Sequence, residues 1–196
     1  KLFCNSFKEP KIDLKVFEGY KNVEVYRFRY PNKLLNFSFK FLKFPQIDKL
    51  LSHVDLFFQP NILFSSLSSN CKKIVTFHDL SYEFYSNFYS LKRRAWHAFI
   101  NPRKKAKEAD KIIAVSVSTK NDIVNHFNVK ESEVKVIYSG ISSEFRKIDE
   151  DLSWAREKYN LPERFILCLG VIDPRKNLVG LAVQEVIAGT AIEIEH

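Results

Sequence analysis

Apolar residues fall along this chain in short runs, each closed off by polar or turn-forming residues. Six of them, residues 23–28, 54–58, 74–77, 112–115, 134–138 and 165–169, are rich in β-branched or aromatic side chains and short for helices, which predicts buried strands. Between several of them lie longer amphipathic stretches, residues 34–44, 91–108, 119–127, 154–159 and 178–187, which predict helices. Strands alternating with helices predict the α/β class, a Rossmann-like parallel sheet covered on both faces. The alternation lapses over the polar residues 142–153 and restarts at Phe165. The expected division is therefore a Rossmann-like domain over residues 1–145 and the beginning of a second over residues 146–196, with too few elements to bury a sheet of its own.

Parallel sheets of this kind bind ligands beyond the carboxyl ends of their strands, so the residues just after each run are the candidates for chemistry. After 74–77 come His78 and Asp79. An imidazole there can donate a hydrogen bond to a sugar hydroxyl while the carboxylate orients it, or the histidine can simply cap a loop. After 112–115 come Ser116, Thr119 and Lys120, where Ser118 or Thr119 would cap the next helix and Thr119 with Asp122 has capping-box spacing. A helix start at a strand end offers unpaired amides to phosphate or sugar oxygens; an ordinary N-cap is the plainer account. After 165–169 come Gly170, Arg175 and Lys176. The glycine admits a ligand close to the backbone, and the two cations are placed to grip a diphosphate, unless they are only solvated surface.

Charge sharpens the choice of partner without settling it. Lys and Arg outnumber Asp and Glu by 31 to 23, a net charge of +8, which favours anions: nucleotide phosphates, acidic lipids or nucleic acid. The three cysteines, Cys4, Cys71 and Cys168, are far apart and indicate neither a disulfide framework nor a metal site. Cys168, inside an apolar run, is expected in a core. No secretory leader opens the sequence and no apolar run approaches membrane-spanning length, so a cytoplasmic setting is expected.

Taken in order, residues 76–80 (Thr-Phe-His-Asp-Leu), 109–116 (Ala-Asp-Lys-Ile-Ile-Ala-Val-Ser), 119–123, 134–141 (Val-Lys-Val-Ile-Tyr-Ser-Gly-Ile) and 167–178 resemble the retaining glycosyltransferases of family 4 (group 1). The resemblance implies the GT-B fold, two Rossmann domains facing across a cleft, the first holding the acceptor and the second the donor. It implies transfer of a sugar, mannose or glucose being the candidates, from a nucleoside-diphosphate sugar to a saccharide or lipid-linked acceptor with retention of configuration. The nucleotide sugar is then a co-substrate, and neither a metal nor a resident cofactor is required. Carried over by position, His78 and Asp79 are catalytic and Gly170, Arg175 and Lys176 bind the donor. Ser116, Thr119, Lys120 and Gly140 line the cleft.

Three departures accompany the resemblance. No match is found to the family's opening strand and Gly-rich loop. The family's pair of glutamates eight positions apart is missing; Glu185 and Glu193 have that spacing but follow the first helix of the second half directly, out of place. The pattern also breaks after Leu181. The expectation is a chain cut short before its donor half is complete and without turnover in this form, which makes a glycan-binding fragment the alternative reading.

Two surface stretches allow rival partners. The cations Lys92, Arg93, Arg94, Arg103, Lys104, Lys105 and Lys107, interleaved with Trp96, His97 and Phe99, suit anionic lipid or single-stranded nucleic acid, or are a solvated helix face. No nucleic-acid motif accompanies them, so that partner is not expected. Residues 34–44 carry seven apolar positions beside Lys33, Lys40 and Lys43 and would either pack on the sheet or lie at the inner face of a membrane.

Overall fold

The computed structural model describes residues 1–8, 13–17, 19–146, 151, 153–170 and 174–181. The chain divides into two units, Lys1–Ser139 and Gly140–His196.

The first unit is α/β with all strands parallel. Strands β1 (Leu2–Asn5) and β2 (Val25–Phe28) form one pair, and β3 (Leu56–Gln59), β4 (Lys72–Phe77), β5 (Lys111–Ala114) and β6 (Val134–Val136) form a four-stranded sheet in sequence order. Register pairs Phe58 with Ile74, Ile74 with Lys111 and Ile112 with Val134, so the carboxyl ends of β3, β4 and β5 fall along one edge. Lys73, Val75 and Phe77 share one face of β4 by the two-residue period of a strand, and all three are buried.

Helix α1 (Asn32–Phe37) runs on into a turn of π-helix over Ser38–Leu42, and α2 is the single turn Ile47–Leu50. Between β4 and β5 come α3 (Ser81–Phe84), α4 (Leu91–Ile100) and α5 (Pro102–Lys107). Helix α6 (Val117–Phe127) joins β5 to β6 and buries Thr119, Ile123 and Phe127, one residue every four, which is one stripe of a helix. Ile123 and Phe127 pack against Val75, Phe77, Ile112 and Ala114 of the sheet. Side chains buried this fully stabilise by roughly 1.5–3 kcal/mol each. A second cluster of Leu35, Phe39, Ile47, Leu51, Phe64 and Ile100 gathers Phe3 and Tyr26 of the two-stranded pair with Phe57 of β3.

The structure amends several sequence expectations. A strand stands at Leu2–Asn5 (β1), ahead of the first run from which one was expected. The single helix expected over 91–108 is two. Asn101 sits in the left-handed region (φ 55°) because Pro102 has no amide to donate and disfavours helical backbone in the residue before it. Over 34–44 the helix uses two faces: Leu35 and Phe39 are buried in the second cluster, while Leu34, Phe37, Phe41, Leu42 and Phe44 are exposed.

The second unit, taken by itself, contains α7 (Ser153–Lys158), a 3-10 turn at Pro174–Lys176 and helical residues 178–181. The strand expected over 165–169 does not form, and Cys168 is exposed rather than in a core. Among the described residues of this unit no strand is available to pair with it, and a lone strand leaves its backbone groups to water. The helix expected over 178–187 is described only to Leu181, and Glu185 and Glu193 lie outside the described residues.

Candidate functional site at the strand ends

Pro60 and His78 follow β3 and β4 directly, and Ser116 follows β5 after Val115, so all three lie at the carboxyl end of the four-stranded sheet. His78 is exposed, and its Nε2 lies 3.0 Å from the Pro60 carbonyl oxygen. A carbonyl only accepts, so Nε2 carries the proton of the neutral ring and Nδ1 is left with a lone pair. The imidazole is therefore oriented by the Pro60 backbone. It is not oriented by Asp79, as the sequence had led us to expect.

Asp79 is occupied locally. Its Oδ1 accepts from the Ser81 amide at 2.8 Å and from the Ser81 hydroxyl at 2.5 Å, closing an Asx turn into α3. The single Ser81 hydroxyl proton is thereby used, so Tyr89, whose hydroxyl lies 2.5 Å from Ser81 Oγ, is the donor in that contact. Behind this turn Glu83 approaches His126 of α6 at 3.5 Å.

The start of α6 is capped by Ser116, not by Ser118 or Thr119. Ser116 has extended backbone (φ −153°), and its hydroxyl accepts from the Thr119 amide at 3.0 Å. The same hydroxyl donates to Thr119 Oγ1 at 2.9 Å, and Thr119 Oγ1 donates to the His78 carbonyl at 3.2 Å. Ser116 and Thr119 thus tie the end of β4 to the start of α6, and their hydroxyl protons are spent inside the protein. Lys120 is paired with Glu131 at 2.7 Å, and that ammonium group lowers the Glu131 carboxyl below its ordinary range. Of the residues expected here, His78 keeps an unspent ring nitrogen and Asp79 an unbonded Oδ2 among the described residues.

Gly140, Gly170, Arg175 and Lys176 belong to the second unit. Gly140 has open space where a side chain would go. Gly170 has φ 121°, a backbone region open in practice to glycine alone, and a Cβ there would collide with the Lys176 ammonium group. Lys176 Nζ donates to the Leu169 carbonyl at 3.3 Å, which sets the cation beside the bare backbone of Gly170. Arg175 lies in the same 3-10 turn.

Sequence reasoning missed the Pro60 carbonyl, the Asp79–Ser81–Tyr89 chain and the capping role of Ser116. A backbone acceptor leaves no mark in side-chain pattern. The Ser116 cap was legible, since Ser116 precedes Thr119 by three residues at the head of an amphipathic run.

Comparison with known proteins supplies the rest. The family model described as Glycosyltransferase Family 4 matches residues 2–145. Three curated relatives, each a serotype-specific mannosyltransferase WbdA of Escherichia coli, resemble part of the chain. Two are 34% identical over 86 residues, 42% of this chain and 11% and 10% of their own lengths. The third is 32% identical over 83 residues, 41% of this chain and 10% of its own. The matched stretch thus spans about a tenth of these relatives. No solved structure matches the chain.

Proposed function

The chain belongs to glycosyltransferase family 4, and from that premise we propose that the protein carrying it transfers a sugar, mannose or glucose, from a nucleoside-diphosphate sugar to a saccharide or lipid-linked acceptor with retention of configuration. One observation carries the reading: at the carboxyl end of β4, His78 is held by Pro60 through Nε2 and keeps Nδ1 free to accept a hydrogen bond from a sugar hydroxyl. The mannosyltransferase relatives favour mannose. In this reading the first unit serves the acceptor side and the second the donor side.

His78 takes the catalytic role. Asp79, already bonded to Ser81, fixes the loop that carries His78. Ser116 and Thr119 hold the strand end in place. In the second unit, Lys176 beside the bare backbone of Gly170 suits the donor diphosphate, with Arg175 as its partner in the same turn. Fixed cations there would stabilise the charge that develops on the leaving group. The nucleotide sugar is a co-substrate, and no metal or resident cofactor takes part.

The expected setting is cytoplasmic, at the inner face of a membrane. Among the described residues no helix is long and apolar enough to cross a membrane. The exposed Leu34, Phe37, Phe41, Leu42 and Phe44 beside Lys40 and Lys43 support contact with its surface instead.

The test is a transfer assay on the protein encoded by the whole reading frame that contains this sequence, with labelled nucleoside-diphosphate mannose and glucose. Turnover that persists in a chelator and falls about a hundredfold or more in His78→Ala supports the reading. Turnover indifferent to His78→Ala removes the role given to that residue. Glycan binding without turnover for any nucleotide sugar would replace the enzyme with a glycan-binding module.

A further inference from the structure

The other end of the sheet holds a cluster of cations that the transfer reaction does not use. A cavity of about 270 Å³ opens between the π-helical turn at Ser38–Leu42 and the α4–α5 elbow, and its walls include Lys40, Lys43, Lys104, Lys105, Phe41 and Phe64. Lys105 is buried, and Lys73, also buried, lies close enough to Lys105 and Lys43 to feel both charges. Lys73 is the second residue of β4, about 16 Å along the strand from His78 at some 3.3 Å per residue.

Negative charge is scarce here. Glu108 reaches Lys104 at 3.7 Å and Lys105 at 3.9 Å, both beyond hydrogen-bond length. Asp110 is nearby, but its oxygens are taken by the Lys73 amide at 2.9 Å and Lys72 Nζ at 3.0 Å. Lys40 donates to the Phe99 carbonyl at 2.6 Å and stands 3.5 Å over the Phe99 ring, which leaves it further protons to give. Among the described residues neither Lys43 nor the Lys73 ammonium group has a hydrogen-bond or ion-pair partner.

Gathering ammonium groups at a half-enclosed site with Glu108 as the one loosely placed counter-charge is costly, and an anion in the cavity would offset that cost. We propose that this cavity is a phosphate-binding site, taking a phosphate or diphosphate group against Lys40, Lys43, Lys104 and Lys105. Phe41 and Phe64 among its walls let the same site serve a free anion or the headgroup of an acidic lipid. Burial first, then the neighbouring Lys105 and Lys43 charges, hold Lys73 down to about 8, which is consistent with an unfilled demand for negative charge. The site is independent of the sugar transfer proposed above, so either reading can fail alone.

The experiment titrates the 196-residue chain at low ionic strength with inorganic pyrophosphate, and separately with phosphatidylcholine vesicles made with and without phosphatidic acid. Lys43→Gln/Lys104→Gln changes two exposed side chains and should weaken binding about tenfold or more, while Lys130→Gln/Lys135→Gln, on and beside β6, should not. A thermal melt of each variant checks folding, and Lys105→Gln repeats the test from the buried side. Pyrophosphate binding with this dependence supports a site for soluble phosphates. Binding only to phosphatidic-acid vesicles, with the same dependence, assigns the phosphate to lipid. No binding of either probe, or binding equal in the two double variants, overturns the proposal.

Discussion

The two ends of the four-stranded sheet handle their polar groups in opposite ways. At the carboxyl end nearly every polar atom is consumed by a neighbour: Ser116 by Thr119, Thr119 by the His78 carbonyl, Asp79 by Ser81, His78 Nε2 by Pro60. At the amino end Lys73 and Lys105 are buried, with Glu108 as a loosely placed carboxylate 3.9 Å from Lys105. Saturated polar contacts fix geometry, and what they leave over among the described residues includes His78 Nδ1 and Asp79 Oδ2. Unsaturated charge destabilises the free protein and gives a ligand something to relieve. Precision and binding potential thus sit at different ends of the same strands.

The saturated end rests on packing beneath it, and this is where the largest effect is expected. Phe77, the last residue of β4, is fully buried, with its ring edge-on to Phe127 at 6.2 Å. Phe77→Ala should cost about 3–5 kcal/mol, read as a lower urea midpoint with an unchanged slope. A loss below about 1 kcal/mol would mean that the hydrogen bonds at the strand end hold their positions without the core.

The unsaturated end should respond in the opposite direction. Lys73→Met removes the unpaired ammonium group of a largely buried side chain and should stabilise the anion-free protein at pH 7 by about 1–3 kcal/mol. The pH dependence gives the sign independently. Lys73 is lowered from an ordinary 10.5 to about 8, so between those values the unfolded chain binds the proton that the folded chain has released. Stability from this group therefore rises with pH across the window, and its cost is fully present only below about 8. Cys71 and Tyr82, both raised by burial, work the other way once their unfolded forms ionise. The informative quantity is thus the difference between wild type and Lys73→Met, which should narrow from pH 7 to pH 10 in parallel urea melts. A constant gap would show that Lys73 keeps its charge in the fold.

The same contrast explains what could be read before the structure. Alternating runs marked β2 to β6 and the helix α6, because burial on a sheet or along one helix stripe dictates residue type at a fixed period. His78 was found as a residue following a strand. The amino-end cavity was not found, because Lys43, Lys73 and Lys105 are far apart in sequence and a buried lysine looks the same in a sequence as an exposed one. The break at Asn101 was readable in the Asn-Pro pair and was overridden by the continuous amphipathic pattern across it. The run 165–169 has strand composition but no pairing partner among the described residues, and composition cannot supply one.

The smallest effect tests how tightly the saturated end is coupled. Ser116 caps a helix of eleven residues through one hydroxyl, and losing such a cap costs about 1 kcal/mol. In Ser116→Ala that loss comes with a freed Thr119 side chain, which still donates to the His78 carbonyl. Thr119→Val removes the donor and keeps the shape, so it cuts the tie to β4 while Ser116 continues to cap. If the two hydroxyls act as one unit, the double variant should lose less than the sum of the single losses, as expected for residues sharing a hydrogen bond. Simple addition would mean that the cap stabilises α6 alone, and the position of His78 would then rest on Pro60 and the Asp79 turn.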